Sequence, residues 1–524
     1  MELTNYAITR GFNWKYLKND NVRLTVRCYV DVCPWRLHAS VVHEDPEFAI
    51  KTLNNIHSCG CDIMSDGHPR TSKKWVANAM KGKLVDKPTY RASEMMRDIR
   101  RDYGISIPYH QAWWGKEVVV SSLYGDFRTS YHMLNWYSER ALQSNSGSVL
   151  SLEVDPETQH FKHFFICFQA SAYGFEVASA LNGNNELFTV AYSIADSETY
   201  DNWVWFLQNL KKALLSDRRI AFLSDRGKGL KEAIPDIFPN DHHGYYFQHI
   251  MQNFNDQCAG KYAAPFKKLL RKILQCIAYV VTEQEYQDAM LAMEINSADA
   301  KEWVLRNDVD HWSHVRFPFG ELYSSLAESF NNWIHDARSL PILQMVDKIR
   351  VQMMEMTAKR KIDAALWDTP YCPKVQKIIE KNLQERRSLP ICHSDGIKFE
   401  VIESIKTYAV DLHLQTCSYG HWQLVKIPCK HACAAIGSNK EAVSQYVSAF
   451  YSTEVYMAAY ERNIQPIPTF DMPDPPQPSN ILIKPPTTKR LPGRLRKRRI
   501  HSRGEVDHAY ICSRCKQIGH NRRT

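Results

Sequence analysis

The sequence predicts an α/β protein of several domains, and three observations lead to this class. Apolar and polar residues alternate over 22–27 and 35–41, as they do in β-strands. Further along, the apolar segment 220–224 runs into Asp225 and a glycine-rich turn, the pattern of a strand that passes into a helix. The length of 524 residues allows two to four domains with sizeable cores.

The overall composition is that of a globular protein. Hydrophobic residues make up 44% of the chain and charged residues 23%, which argues against wholesale disorder. No apolar run approaches the ~20 residues that a membrane span needs, and the first residues lack the pattern of a signal peptide. We therefore expect a cytosolic or nuclear protein with no membrane partner. In a reducing compartment, the fourteen cysteines are better explained as metal ligands and buried thiols than as disulfides.

Two cysteines and a histidine–cysteine pair stand near the amino terminus. Cys28 and Cys33 bracket a strand and turn, and His57 and Cys59 follow after a second alternating stretch. Two thiolates with a histidine and a third thiolate suit a closed tetrahedral zinc site. The alternative is four unrelated buried residues, and Cys61 could take the place of Cys59. We predict a zinc-stabilised β-domain here.

A second group of metal-ligand residue types lies at Cys417, Cys429 and His431. The segment resembles the SWIM zinc finger, in which a Cys-x-Cys pair precedes a Cys-x-His pair. Tyr419 stands where the second cysteine belongs, and a phenol is a poor zinc ligand because its pKa is near 10. His421 or Cys433 could complete the site, although neither has the spacing of the pattern. A zinc ion here would thus have three good ligands, and the sequence does not assign the fourth.

A third group, Cys512, Cys515 and His520, has the spacing of a zinc knuckle without its last cysteine. Three ligands without the fourth bind zinc weakly, so we expect this knuckle to be unfolded.

Proline-rich sequence over 464–486 leads into a basic stretch over 484–503. Such proline density opposes helix and sheet, and predicts an extended linker before a disordered, solvated basic tail. The segment Pro492-Gly-Arg-Leu495 resembles an AT-hook in which Leu495 replaces a proline. The basic tail is explained equally by nuclear import or by phosphate contacts, and the two roles are compatible. For the second role, the candidate contacts to double-stranded DNA are Arg494, Arg496, Lys497, Arg498 and Arg499.

Several motifs occur in an ordered series between these modules: Tyr124-Gly-Asp126, Ala195-Asp-Ser-Glu-Thr199, Trp203-Val-Trp-Phe-Leu207, Phe238-Pro-Asn240 and Leu340-Pro-Ile342. With the segment around Asp225 and with Glu328 in Leu-Ala-Glu-Ser-Phe-Asn, the series resembles the Mutator-like element transposases. The resemblance implies a WRKY-like amino-terminal zinc domain that binds DNA. It also implies a central RNase H-like domain with a helical insertion before its last acidic residue.

The resemblance makes Asp225 and Glu328 the equivalents of the second and third catalytic acids. Such enzymes cleave and join DNA strands with two Mg²⁺ ions held by carboxylates. The resemblance also implies a first acid on a strand between a Gly-Phe and a Gly-Asn-Asn. Here the segment 174–178 runs almost directly to Asn182-Gly-Asn-Asn185, so that the first acid, its strand and the hairpin partner of this strand are missing. Taken alone, Asp225 or Glu328 is more often a helix cap than a metal ligand. A further departure is Tyr246, which replaces a cysteine that the family pairs with His249.

The expected domains are 1–62 (zinc-binding), 63–145 (helical linker), 146–350 (RNase H-like, with its helical insertion at about 250–315), 351–405 (helical connector), 406–440 (SWIM finger), 441–463 (helical), 464–503 (proline-rich, then basic) and 504–524 (truncated knuckle). Within the central domain, the patterns predict strands over 163–168 and 187–194 and an amphipathic helix over 203–215. Asp155 is expected in a turn before the first of these strands.

Three functions remain open from the sequence. The first is a nuclear, zinc-dependent protein that binds double-stranded DNA without cleaving it. The second is an active transposase that uses Mg²⁺, Asp225, Glu328 and an unrecognised third carboxylate. The third is a decayed or mis-spliced gene product that does not fold properly, since loss of a central strand exposes unpaired backbone. Transposases of this kind act as multimers on paired DNA ends, so self-association is also expected.

Overall fold

The computed structural model of the chain describes residues 2–42, 48–59, 67–87, 89–178, 180–214, 218–227, 229–319, 326–474, 476 and 482–486, with backbone alone at 326–328. It forms two compact units. One contains Met1–Tyr137, Phe330–Gln352 and Met472–Leu482, and the other contains Ser138–Ser329, Met353–Asp471 and Ile483–Thr524. Among the described residues, no helix combines the length and the apolar character needed to cross a bilayer.

The first unit opens with one helix and a four-stranded antiparallel sheet: α1 Glu2–Arg10, β1 Trp14–Asn19, β2 Arg23–Cys28, β3 Arg36–Val41 and β4 Phe48–Asn54. The strands lie in the order β1-β2-β3-β4. Alternation puts apolar side chains on one face, where Trp14, Val26 and Trp35 are almost fully buried with Ala7 of α1. The β-strands expected over 22–27 and 35–41 are confirmed as β2 and β3.

The opposite face of this sheet is polar. Directly opposed residues share a face, and Lys15 pairs with Arg27, which in turn pairs with Arg36. A row of three cations therefore crosses β1, β2 and β3. Thr25 and His38 form the neighbouring polar pair, joined by a 2.8 Å hydrogen bond.

Helices follow the sheet: α2 Lys73–Asp86, α3 Ala92–Tyr103, α4 Tyr109–Tyr124, α5 Phe127–His132 and α6 Leu134–Ser144. Ser72 caps α2 by accepting the backbone N–H of Trp75 at 3.2 Å. Apolar residues of α2, α3 and α4 form one core, in which Val76, Met95 and Ala112 are fully buried.

The second unit contains a three-stranded antiparallel sheet, β5 Val149–Val154, β6 Phe161–Cys167 and β7 Tyr192–Ala195, and a two-stranded parallel sheet, β8 Ala221–Ser224 and β9 His242–Tyr245. Helices α7 Gln169–Val177, α8 Tyr200–Ala213 and α9 Leu230–Ile237 connect these strands. The central strand β6 ends in a run of buried apolar residues from Phe164 to Cys167.

Two of the predictions for this region need correction. The strand predicted over 187–194 begins only at Tyr192, because Asn182 accepts the backbone N–H groups of Asn184 and Glu186 and closes a turn. Asp155 lies in the turn between β5 and β6, ahead of the strand predicted over 163–168, as expected. The helix predicted from 203 begins earlier, at Tyr200, since Thr199 caps it.

Four helices form a compact bundle after β9: α10 Phe247–Gln257, α11 Ala264–Tyr279, α12 Glu283–Asn296 and α13 Ala298–Arg306. Their core includes Phe254, Leu274, Met293 and the fully buried Trp312.

The remaining elements are α14 Leu326–Trp333, α15 Ile342–Ala365, α16 Pro373–Glu385, β10 Ile391–His393, β11 Lys398–Glu403, β12 Lys406–Asp411, β13 Thr416–Cys417, α17 His421–Val425, α18 Lys430–Ser438 and α19 Thr453–Ala459. The strands form an antiparallel sheet in the order β10-β11-β12-β13. The segment 351–405, expected to be helical, therefore contains β10 and β11. Alternation explains this, because Phe399 and Val401 are buried while Lys398 and Glu400 are exposed.

Candidate metal centres and the strand-end carboxylate

Four side chains of metal-ligand type converge in the first unit. Cys28 ends β2, Cys33 lies in the loop after it, and His57 and Cys59 follow β4. The ligand atoms of Cys28, Cys33, His57 and Cys59 all lie within 4.8 Å of one another. The Sγ atoms of Cys28 and Cys59 are 3.8 Å apart, and Nδ1 of His57 is 3.4 Å from Sγ of Cys33 and 3.7 Å from Sγ of Cys59. Ligands ~2.1–2.3 Å from a tetrahedral zinc ion are separated by roughly 3.5–3.8 Å. These four residues therefore fit a closed zinc site.

Aromatic rings hold the His57 imidazole in place. The ring of Phe12 lies 4.2 Å from it, and Trp35 stacks on it at 5.4 Å with an interplanar angle of 12°. Burial alone would raise the pKa of the Cys33 thiol. The pKa is instead lowered to about 6, because the backbone N–H groups of Trp35 and Ser58 donate to the sulfur, as do the neighbouring thiols. A sulfur in this setting is ready to act as a thiolate ligand.

Three side chains form a second cluster, at the start of α18 and the end of β13. Cys417, Cys429 and His431 are 1%, 3% and 0% exposed. Nδ1 of His431 is 4.0 Å from Sγ of Cys417 and 3.9 Å from Sγ of Cys429. The ring of Tyr408 stacks on the imidazole at 4.1 Å. The two sulfurs and Nδ1 fit three corners of a zinc tetrahedron.

Glu403, at the end of β11, supports this cluster from outside. Its Oε2 accepts a hydrogen bond from Nε2 of His431 at 2.9 Å, and its Oε1 accepts one from the Lys430 ammonium. The Lys430 and His431 hydrogen bonds lower the pKa of Glu403. A carboxylate on the distal nitrogen of a metal-ligating histidine fixes its tautomer and orientation. Nδ1 is thereby left to bind the metal.

The fourth corner of the second cluster has no ligand among the described residues. Tyr419 donates its backbone N–H to Sγ of Cys417 at 3.4 Å, and its ring contacts His431 edge-on at 5.2 Å. Cys433, one possible fourth ligand, is turned away, with its Sγ donating to the carbonyl of Pro428 at 3.5 Å. The described cluster is thus a three-ligand group.

Asp225 directly follows β8 and is exposed to solvent. Its Oδ1 accepts the backbone N–H of Gly227 at 3.0 Å, so part of its hydrogen-bonding capacity is used within its own turn. Burial, followed by the charge of Asp225, raises the pKa of the nearby Tyr246 phenol. Within the described residues, groups of three or more close His, Cys, Asp or Glu ligands are confined to the two Cys–His clusters, and Asp225 is in neither.

Several predicted site residues cannot be placed. Glu328 lies in α14, but its side chain is outside the described part of the chain. The alternative ligand Cys61, the knuckle residues and the basic tail also lie outside the described residues: Cys512, Cys515, His520, Arg494, Arg496, Lys497, Arg498 and Arg499.

The sequence did not indicate a polar network that lies in the turn after α7. Glu186 accepts hydrogen bonds from Asn182 at 3.2 Å, from Asn184 at 3.1 Å and from the Tyr456 hydroxyl at 3.1 Å, and it pairs with Arg360 at 3.5 Å. These residues come from distant parts of the chain, so no local pattern could have indicated the network. It ties the turn after α7 to α15 and α19.

Comparison with known families gives two matches. Residues 2–50 match a family described as MuDR family transposase, and residues 168–253 match the MULE transposase domain. The first segment contains Cys28 and Cys33, and the second contains Asp225 and Tyr246. No curated protein matches the chain. Both matches show that the chain is similar to Mutator-like transposases, in its amino-terminal segment and in part of its central region.

Proposed function

We propose that this chain is a transposase-derived, zinc-dependent DNA-binding protein that no longer cleaves DNA. The observation that carries the proposal is the convergence of Cys28, Cys33, His57 and Cys59 beside the amino-terminal sheet. The first three strands of that sheet lie within the segment that matches MuDR family transposases. A zinc ion there would join the ends of β2 and β4, and structural zinc contributes directly to folding free energy.

The polar face of the sheet is the proposed DNA-contacting surface. Lys15, Arg27 and Arg36 form a row across three strands. Asp31 pairs with both Lys15 and Arg27, whereas Arg36 is exposed and has no described ion pair. Cations contact phosphates and release counterions, which makes binding strongly dependent on salt. The basic tail, with Arg494, Arg496, Lys497, Arg498 and Arg499, is proposed to add phosphate contacts and to direct the protein to the nucleus.

Loss of cleavage is supported by the region around the expected first acid. A two-metal centre needs carboxylates that bridge a pair of Mg²⁺ ions and stabilise the attacking and leaving oxygens. Between α7 and β7 the described residues form a turn, closed by the Asn182 side chain. Asp225 has no group of further described ligands around it. An RNase H-like arrangement of the central domain and a SWIM-type role for the second cluster remain parts of this proposal.

An active transposase is the second candidate. The match to the MULE transposase domain favours it, because Asp225 lies within the matched segment, at the carboxyl end of β8 and accessible to solvent. In that case, Asp225 and Glu328 with a third carboxylate would hold Mg²⁺, and Asp225→Ala would abolish strand transfer on transposon-end DNA. Either candidate is expected to self-associate on paired DNA sites.

The proposed function is tested by duplex binding as a function of salt and zinc. The full chain with zinc is expected to bind duplex DNA with an affinity that falls steeply as salt rises. Cys28→Ser should weaken binding at least tenfold, whereas Cys276→Ser, which changes an exposed cysteine outside both clusters, should not. Equal binding by wild type and Cys28→Ser would contradict the role of the first cluster.

A further inference from the structure

A polar cleft lies in the second unit between β5, β6 and the first turns of α8. Its volume is about 450 Å³, and its lining includes Glu153, Lys162, His163, Asp196, Asp201 and Trp205. Three of these residues are carboxylates. The Lys162 ammonium pairs with Asp155, 3.3 Å away, in the adjoining turn.

Strand register sets the two central residues of the cleft side by side. Glu153 on β5 is directly opposite His163 on β6. His163 is in turn opposite Ala195, the last residue of β7, and Asp196 follows it. Because directly opposed residues share a sheet face, Glu153 and His163 project to the same side.

The hydrogen bonds around Asn202 assign the tautomer of His163. The Asn202 amide nitrogen donates to Oδ1 of Asp196 at 2.9 Å and to the carbonyl of Ser197 at 2.7 Å. Its oxygen is therefore the atom that faces Nε2 of His163, 2.7 Å away. An amide oxygen only accepts, so Nε2 carries a proton, and in the neutral form of the ring Nδ1 presents a lone pair.

This lone pair has no hydrogen-bond partner. His163 is 6% exposed, and its Nδ1 is a buried polar atom without a partner. Oε2 of Glu153 lies 3.7 Å from Nδ1. Two acceptors that face each other are unfavourable unless a proton or a metal cation lies between them. Two ligands each ~2.1 Å from one tetrahedral ion are roughly 3.4 Å apart, close to the separation seen here.

We propose that this cleft binds a divalent transition-metal ion, with Nδ1 of His163 and the carboxylate of Glu153 as its protein ligands. Water completes the coordination, and the negative charges of Asp196 and Asp201 favour the cation. An imidazole with a carboxylate is a mixed nitrogen–oxygen donor set of the kind that Mn²⁺ and Zn²⁺ accept. The site is separate from both Cys–His clusters and does not depend on the proposed DNA-binding function.

To test this, the zinc-loaded full chain is titrated with Mn²⁺. Binding is measured as the loss of the electron paramagnetic resonance signal of the free ion. Mn²⁺ is the probe because thiolate sites prefer zinc. Glu153→Gln removes one ligand from a side chain that is 42% exposed, so its folding is not at risk. The matched control is Glu157→Gln, an exposed acid in the β5–β6 turn. Asp225→Asn reports on Mn²⁺ bound at the strand-end carboxylate.

Wild type, Glu157→Gln and Asp225→Asn are expected to bind one Mn²⁺ with the same affinity, and Glu153→Gln at least tenfold more weakly. His163→Gln should show the same loss, and its thermal unfolding checks that it folds. No bound Mn²⁺ in the wild type would overturn the proposal. Equal affinity in Glu153→Gln, or a loss confined to Asp225→Asn, would overturn it as well.

Discussion

The carboxylate of Glu403 accepts the Nε2 proton of His431 at 2.9 Å, so that Nδ1 of the same ring faces the sulfurs of Cys417 and Cys429. Lys430 binds the other oxygen of Glu403 and keeps this carboxylate charged and oriented. The orientation of the metal-facing nitrogen is thus set by a residue that is not itself a ligand.

Glu403→Gln is expected to weaken zinc binding at the second cluster by about 10–100-fold, the usual effect of losing such an outer partner. The reason is that a neutral amide lacks the negative charge with which the Glu403 carboxylate stabilises the Nε2–H tautomer. Competition with a chromogenic chelator measures the affinity. Glu400→Gln, an exposed change on the same strand, is the control and should bind zinc as the wild type does. Identical affinities in all three proteins would refute the role of Glu403.

Tyr419→Cys is expected to convert the three-ligand cluster into a closed four-ligand site. The new thiolate should tighten zinc binding, and in the Co²⁺-loaded protein it should strengthen the sulfur-to-metal absorption. Tyr419→Phe removes only the hydroxyl, and we expect it to leave both readouts unchanged. If Tyr419→Phe itself weakens metal binding, the phenol already serves as the fourth ligand and the three-ligand description is wrong.

Gly183→Ala is expected to lower the free energy of unfolding by about 1–3 kcal/mol through overpacking. A Cβ at this position would lie 2.8 Å from the carbonyl oxygen of Phe450 and 3.1 Å from Sγ of Cys372. Urea unfolding measures the change. Gly82→Ala, in α2 with no atom within 4 Å of the added carbon, should instead be neutral or stabilising. Unfolding without a cooperative transition in the wild type would favour the decayed-product hypothesis.

Arg36→Gln is expected to weaken duplex binding and to reduce the dependence of log K on log salt by about 0.9, the slope of one phosphate contact. Arg36 is exposed on the polar sheet face, at the first residue of β3. Fluorescence anisotropy at several salt concentrations measures the slope. Lys81→Gln removes the same charge from the exposed side of α2 and should change neither affinity nor slope. A slope unaffected by Arg36→Gln would exclude this face from the interface.

The first cluster was predictable because its ligands are unusual residues close together in sequence, and strand alternation around Cys28 and Cys33 placed them on a sheet. The family resemblance located β8 and Asp225 in a similar way, because an apolar strand directly followed by an acidic residue is recognisable from neighbouring residues alone. Both predictions needed only short-range information.

Long-range partners could not be predicted in this way. Glu403 at the end of β11 reaches His431 on α18. The sequence predicts a helical connector where β11 lies, because its hydrogen-bonding partner β12 belongs to the next segment. The strand over 187–194 was shortened by Asn182, whose side chain competes for backbone N–H groups. The pairing of Glu153 with His163 likewise depends on register, which the sequence of either strand leaves open.

The central claim is that the chain binds DNA but does not cut it. One measurement tests this most directly: incubation of the zinc-loaded full chain with end-labelled duplex in Mg²⁺, followed by native and denaturing electrophoresis of the same samples. The account predicts a retarded complex on the native gel and intact strands on the denaturing gel. Shortened or joined strands from the wild type that disappear with Asp225→Asn would contradict it.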